Sequence, residues 1–392
     1  MKILFVNKYS EIAGGVEYYI NSLSRIMRKK GHTTGIIHWD KVLRNDNFCD
    51  FFHLPQLWDE ELSFSVSAKE SLDYAVGKFC PDIIYLHNME NGKAIEYFST
   101  KGRTVRYIHG YKTVDPDGKM LLRNPLEVNR YPLGLSCFVR AYTRCSMPRN
   151  IFKGIRSYSR AKNALEATKK LNRIIVASEY MKGTLVNNGI KKSKIFVLPY
   201  FVDYKDPGVN ADPEPGRMLF AGRIAEGKGL DVLLDILRFI KKDYILDVVG
   251  TGPMEQSCQR KIFDNSLSGK VIFHGWREHE NTAEFYKRAG FIILPSIWPE
   301  PFGICGIEAA FFGRPAVAFN VGGIGDWLTD NKTGFLVAPY SKEAMAEKIT
   351  YLLDNPGKAA EMGGRARGTV LKKYLPAPHI KQLETIFTDN SL

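Results

Sequence analysis

Long apolar runs are missing from this sequence. No window approaches eighteen consecutive hydrophobic residues, and the opening run Met1-Lys-Ile-Leu-Phe-Val stops at Asn7, too short for the core of a secretory signal. Neither a spanning helix nor export is expected, and the expected location is the cytoplasm. Cysteine is sparse: Cys49, Cys80, Cys137, Cys145, Cys258 and Cys305 are scattered with no Cys-x2-Cys pair. That spacing signals neither a zinc site nor a disulfide framework, so reduced thiols are the default. No helix-turn-helix, RNP or zinc-finger pattern occurs, and nucleic acid is not an expected partner.

What is present is a chain of 392 residues, 44% hydrophobic, long enough for two or three domains with real cores. Its formal net charge of +13 is uneven. Between Lys101 and Arg173 there are seventeen Lys or Arg against four Asp or Glu, while the remainder is balanced. Such a patch attracts an anionic membrane surface or a phosphate-linked acceptor; a basic surface without a partner is the plainer reading.

Strand and helix patterns alternate throughout. Lys2-Ile-Leu-Phe-Val6, Thr33 to Trp39, Asp82 to His87, Thr104 to His109, Arg173 to Ser178 and Ile195 to Pro199 read as strands of a first domain. After the first of them, Gly14-Gly15 leads into a helix from Tyr18 to Lys30. Glycines at a helix entrance let backbone N–H groups approach a phosphate or sugar, because no Cβ stands in the way. This loop is not the Gly-x-Gly-x-x-Gly of dinucleotide binders. His87 and His109 both end strands at the carboxyl side, where ligand-facing residues collect, although a histidine there also serves as a structural cap. Asp115-Pro-Asp117 has the form of a metal clamp, but its Pro and the following Gly118 spell a turn, and no metal is expected.

Tyr204 to Gly216 carries the Pro, Gly, Asp and Asn of a linker, and the domain boundary is placed there. Strands restart at Met218 to Gly222, Ile245 to Gly250, Val271 to Gly275, Phe291 to Leu294, Ala316 to Phe319 and Gly334 to Val337. Arg223 and Lys228-Gly229 follow the first of these, before a helix from Leu230 to Lys241. Ser296 to Gly313 is a Pro/Gly-rich turn opening into a helix, with Glu300 before the helix and Glu308 inside it. Backbone N–H groups of Gly303, Ile304 and Cys305 would face an anion there. The two carboxylates are too far apart along the chain to act as a close pair, so they should hold different parts of one extended ligand. Gly322-Gly323 reads as the opening of a further helix at Ile324.

Pro-Glu-Pro-Phe-Gly, then Glu-Ala, then Gly-x-Pro resembles the Glu-x7-Glu signature of retaining GT-B glycosyltransferases of the group 1, family 4 kind. Gly-Gly-x-Glu after the first strand, Gly-Arg-x4-Lys-Gly and the second Gly-Gly fit the same family. His109-Gly110-Tyr111 resembles its His-Asp-Tyr, with Gly110 in place of the usual acid. The resemblance is strong over residues 217–340 and loose over 40–170.

It implies an α/β protein of GT-B type, two doubly wound Rossmann-like domains facing a cleft. The expected division is an N-terminal acceptor domain over 1–203 and a nucleotide-sugar domain over 217–374, with a closing helix over 375–392 packing back on the first. By the same resemblance Glu300 hydrogen-bonds the donor sugar, Glu308 binds the ribose, and Arg223 and Lys228 hold the diphosphate. Phe302, Gly303, Ile304 and Cys305 complete the donor loop, and Trp276 and Arg277 meet the base. Gly14, Gly15 and His109 serve from the other domain, with His109 near the reacting carbon. The implied reaction moves a hexose from a UDP-sugar, or a GDP-sugar, to an acceptor hydroxyl with retention, in cell-surface polysaccharide or glycolipid synthesis. No metal or cofactor is implied. The basic patch adds the expectation of a lipid-linked acceptor and a peripheral place at the inner membrane face. A nucleotide-sugar epimerase of related architecture and an inactive polyanion-binding protein are the competing readings.

Overall fold

The computed structural model describes residues 1–11, 14–40, 47–59, 63–123, 126–144, 150–206 and 213–389. Cys145 and the middle of the Tyr204–Gly216 stretch lie outside them. The chain divides into two compact domains, Met1–Pro199 with Pro376–Leu392, and Tyr200–Leu375.

The first domain is built on β1 (Lys2–Val6), β2 (Thr33–His38), β3 (Asp50–His53), β4 (Ile83–His87) and β5 (Thr104–Ile108). A small antiparallel pair, β6 (Leu121–Leu122) and β7 (Glu127–Val128), precedes β8 (Arg173–Val176) and β9 (Ile195–Val197). The main sheet runs β3-β2-β1-β4-β5-β8-β9 and all its pairings are parallel. The chain steps outward from β1 to β3, then returns to the other side of β1 with β4. This reversal puts the carboxyl ends of β1 and β4 at a topological switch point, where open α/β sheets bind ligands.

Every residue of β4, β5 and β8 is buried. Helices cover both faces of a parallel sheet, so its strands are apolar almost throughout instead of alternating. The closing helix Pro376–Thr388 belongs to this domain. Its His379 accepts from the Tyr19 hydroxyl at Nε2 (2.9 Å) and donates from Nδ1 to the Pro199 carbonyl (2.8 Å). Phe387 of the same helix meets Tyr85 edge-on, and Glu384 takes Lys30 and His32.

The second domain repeats the plan with β10 (Arg217–Ala221), β11 (Ile245–Val249), β12 (Val271–Gly275), β13 (Phe291–Leu294), β14 (Ala316–Phe319) and β15 (Gly334–Val337). Their order is β12-β11-β10-β13-β14-β15, again parallel, with the reversal between β10 and β13.

Three local expectations are corrected. The helix after Lys228-Gly229 ends at Ile236 and passes into a 3-10 turn, Leu237–Phe239. Gly322-Gly323 opens only a 3-10 turn, Gly322–Asp326, and the Gly323 N–H is taken by the Glu300 carbonyl at 2.7 Å. Tyr204, assigned to the linker, packs into the second domain: its ring stacks on His279 at 4.1 Å and its hydroxyl reaches Thr282 at 2.6 Å.

Candidate functional site

In the second domain the loop after β10 and the loop after β13 lie side by side because their strands pair. Glycines let neighbouring loops approach the one after β13 closely, Gly229 from the loop after β10 and Gly322 from the loop after β14. Gly229 has φ +78, and a β-carbon on it would overlap the Pro295 carbonyl; Gly322 has φ +60 and would collide with the backbone of Glu300. The loops are tied further by Ile297 N–H donating to the Gly227 carbonyl at 2.8 Å.

This junction brings together two residues 72 positions apart in the chain. Lys228 Nζ donates to both oxygens of Glu300, at 2.7 and 3.0 Å. Ser296 Oγ (2.6 Å) and Trp298 Nε1 (3.0 Å) also donate to Glu300, and the ammonium sits 5.1 Å from the Trp298 ring centroid. Glu300 is 4% exposed. Burial pushes its carboxyl up, but the charge of Lys228 and the three donors more than offset this and hold it below the ordinary carboxylate range. Glu300 is therefore an anion and a strong hydrogen-bond acceptor at neutral pH. Arg223 is exposed just after β10, and the next residue, Ile224, is buried and pinned by its N–H to the Thr251 carbonyl at 2.9 Å.

The helix Ile304–Phe311 begins at Gly303, which caps it in the left-handed region at φ 89. The first-turn N–H groups of a helix have no partner inside it, and this helix entrance is where the sequence reading expects Gly303, Ile304 and Cys305 to act as donors. Burial pushes the Cys305 thiol up to about 12, which keeps it protonated.

Phe302 requires correction. Its side chain is wholly buried between Tyr200 and Tyr374, and its carbonyl accepts from Trp327 Nε1 at 2.6 Å, so it packs the loop from beneath and offers no side-chain surface to a ligand.

Glu308, one turn into that helix, stands in a different setting. Tyr286 donates its hydroxyl to Oε2 at 2.7 Å, and His279 Nδ1 lies 3.4 Å from Oε1. Burial pushes the Glu308 carboxyl up to about 7, with Tyr286 pulling the other way. His279 and Tyr286 belong to the helix His279–Arg288, which starts two residues after Arg277. The loop carrying Trp276 and Arg277 thus leads straight to this carboxylate, although both residues are exposed and β12 is the outer strand of the sheet.

A carboxylate poised at neutral pH gives a direct test. The resemblance implies that Glu308 receives a ribose hydroxyl, which binds the ionised form better; on that role nucleotide affinity should rise as pH increases through about 7. Tyr286→Phe removes a hydrogen bond to the charged form, raises the carboxyl further and should move that midpoint upward by about one pH unit. Calorimetric titration between pH 6 and 9 reads it; an unmoved midpoint would separate Tyr286 from the site.

In the first domain the switch point gathers polar groups. Asn88, after β4, donates to Asn7, after β1, at 2.9 Å and to Glu17 at 3.4 Å. Gly14 precedes the helix Gly15–Lys29 in extended backbone, and its carbonyl accepts from Tyr18 N–H at 3.0 Å. His109, after β5, is bonded through Nε2 to His87 Nδ1 at 2.7 Å, with the rings stacked. One ring must donate and the other accept, so the accepting ring is neutral. Burial, reinforced by the nearby Arg106 charge, depresses His109 to about 3, and burial together with His109 holds His87 well below its ordinary value.

Asp115, considered as half of a metal clamp, instead caps a turn. It accepts from the N–H groups of Lys119 and Met120 and from Asn129 Nδ2.

Sequence reasoning did not identify Ser296, Trp298, Tyr286 or His279 as supports of the two glutamates, nor His87 as the partner of His109. Ser296 and Trp298 sit inside the motif itself. Tyr286 lies 22 residues from Glu308 with no local signal.

Two doubly wound parallel domains in one chain, with a cation and two carboxylates at the second switch point, define the GT-B architecture. Sucrose-phosphate synthase from Thermosynechococcus elongatus superposes with a TM-score of 0.76 at 18% identity, covering 98% of each chain. HepE of Anabaena, solved in complex with UDP and glucose, gives 0.73 at 17% identity over 99% of this chain and 100% of that one. By sequence, the poly(ribitol-phosphate) alpha-N-acetylglucosaminyltransferase of Staphylococcus aureus is 28% identical over 220 residues, 54% of this chain and 43% of the relative. The chain spans about half the length of the curated relatives it matches. Residues 204–369 match the family model of glycosyl transferases group 1, and residues 13–206 match that of glycosyltransferase family 4. The chain belongs to the group 1 glycosyltransferases.

Proposed function

We propose that this protein transfers a hexose from a nucleotide-sugar, a UDP-sugar in the first instance, to an acceptor hydroxyl with retention at the anomeric carbon. The observation that carries this reading is the Lys228–Glu300 pair at the β10/β13 switch point, with Glu308 on the adjoining helix. The UDP and glucose held by HepE, and the N-acetylglucosaminyl transfer named for the S. aureus relative, support the donor class.

In this reading Lys228 and Arg223 neutralise the diphosphate, Glu300 takes the sugar hydroxyls, and Glu308 takes the ribose. As the bond from the anomeric carbon to the phosphate oxygen breaks, its electron pair passes to the diphosphate. The acceptor oxygen bonds to the same face of the carbon, and its proton passes to the departing phosphate. Cations held over the site stabilise the charge that develops. No side chain of the site is needed as a covalent nucleophile, and the step uses no metal. Gly14 and Gly15 take part in donor binding and His109 contacts the donor sugar near the reacting carbon, while the first domain binds the acceptor. The product belongs to cell-surface polysaccharide or glycolipid synthesis, made by a cytoplasmic protein peripheral to the inner membrane face. No helix among the described residues is long and apolar enough to cross a membrane.

Incubation with UDP- and GDP-sugars, reading nucleoside diphosphate release and product anomer by NMR, tests the reading. Turnover should favour the UDP-sugar and persist in EDTA, and Arg223→Ala or Glu308→Ala should weaken UDP binding by about tenfold or more. An altered sugar formed without acceptor would point to epimerisation and overturn the proposal.

A further inference from the structure

The first domain carries a surface that neither the sheet nor the switch point uses. From residue 128 to residue 165 the sequence contains eight Lys or Arg and no Asp or Glu. Much of that stretch folds as two helices, Leu135–Thr143 and Ile151–Lys170, joined by the edge-on contact of Phe138 with Tyr158 at 5.4 Å.

The shorter helix buries Cys137 and Ala141 and turns a second apolar stripe outward. Leu135, Val139 and Tyr142, spaced four and three residues apart, share one face and are 75%, 49% and 38% exposed. The first turns of the longer helix continue the pattern with Ile151, Phe152 and Ile155, of which Phe152 is 79% exposed. Arg130, Arg140, Lys153 and Arg156 are exposed among them. Single exposed apolar residues are ordinary, but six on two helices in contact with each other give more bare apolar surface than soluble proteins usually leave.

We propose that this face docks on an anionic lipid bilayer. Leu135, Val139, Phe152 and Ile155 enter the headgroup boundary while Arg140 and Lys153 meet lipid phosphates. The combination of chemistries selects this partner: nucleic acid would use the cations but not an aliphatic stripe, and a second copy would oppose like charges. The inference gives a location to the proposed peripheral association and does not depend on the transfer chemistry.

Sedimentation with phosphatidylcholine vesicles, with and without phosphatidylglycerol, tests it on the full chain. Binding to the anionic vesicles should exceed binding to the neutral ones by about tenfold and weaken with added salt. Leu135→Ser with Phe152→Ser, and separately Arg140→Gln with Lys153→Gln, should each reduce it by about tenfold. All four positions are exposed, and UDP affinity measured alongside should stay unchanged, which confirms the fold. Equal binding to both vesicles, or wild-type binding by both variants, would overturn the proposal. So would a change in oligomeric state on size exclusion without a change in vesicle binding, which would make the face a protein interface. Absence of UDP affinity in the wild-type chain would undo the transferase reading and leave the vesicle result standing.

Discussion

If Lys228 holds the donor diphosphate as proposed, replacing it by alanine should lower kcat by about 10²–10³-fold, the usual cost of one preorganised group facing developing charge. The same change destabilises the second domain, because Lys228 is bound to both oxygens of a carboxylate that is otherwise buried. Removing one member of such a pair leaves an uncompensated charge and costs about 2–4 kcal/mol. The two effects separate in a cycle. Glu300→Gln keeps the shape and removes the charge, so adding Lys228→Ala to Glu300→Gln should cost less stability than Lys228→Ala alone, with a coupling of about 1–3 kcal/mol. Urea unfolding of the four proteins gives the coupling, and additive losses would show that the pair does not hold the loops together. The contact also bears on substrate entry: a sugar that hydrogen-bonds Glu300 must share that carboxylate with Lys228 or displace it.

Acid unfolding is the second large effect. Three buried histidines of the first domain are held neutral: His87 well below its ordinary value, His109 near 3 and His379 near 4, each chiefly by burial. The sign follows from which state takes up protons. Below the unfolded value of about 6.5 the unfolded chain binds protons that the folded domain refuses, so the stability present above that pH is lost progressively down to about 4 or 3. Each such group contributes a slope of about 1.4 kcal/mol per pH unit, and three give about 4. Glu17 and Asp115, whose carboxyls burial pushes up, recover part of this as they protonate. Against a typical domain stability of about 5–15 kcal/mol, the first domain should melt within two or three pH units of about 6.5.

In the second domain His279, depressed to about 4, acts in the same direction, but Glu308 near 7 opposes it. Folded Glu308 holds its proton where the unfolded carboxyl has lost it, so it favours the folded state as pH falls from about 7 to 4.5. Melting followed by circular dichroism from pH 7.5 to 4 should therefore show a steep loss assignable to the first domain. A melting temperature flat over that range would refute the neutral-histidine account.

Much of this molecule is legible along the chain because its strands are buried on both faces. The runs at Ile3–Val6, Ile83–Leu86 and Phe291–Leu294 stand out without any knowledge of their neighbours. β3, with Asp50-Phe-Phe-His at the sheet edge, does not, since a short edge strand has little apolar signal. Gly322-Gly323 misleads for a related reason: the glycine pair looks like a helix entrance, yet the N–H that would face a ligand is spent on the Glu300 carbonyl. The Phe302 reading fails because a motif records which residues recur together and not which way a ring points. The ring filled the core.

The order of residues alone determined the parallel α/β class, the spacing of the two glutamates and the concentration of positive charge between Lys101 and Arg173, since these depend on local pattern and composition. Only the tertiary structure decided that Lys228 grips Glu300, that burial lifts Glu308 to near neutrality against the hydrogen bond from Tyr286, and that His87 and His109 share a hydrogen bond. Those contacts arise where strands distant in sequence pair and their loops converge, and the ionisation of each group is set by the burial and charge that this convergence creates.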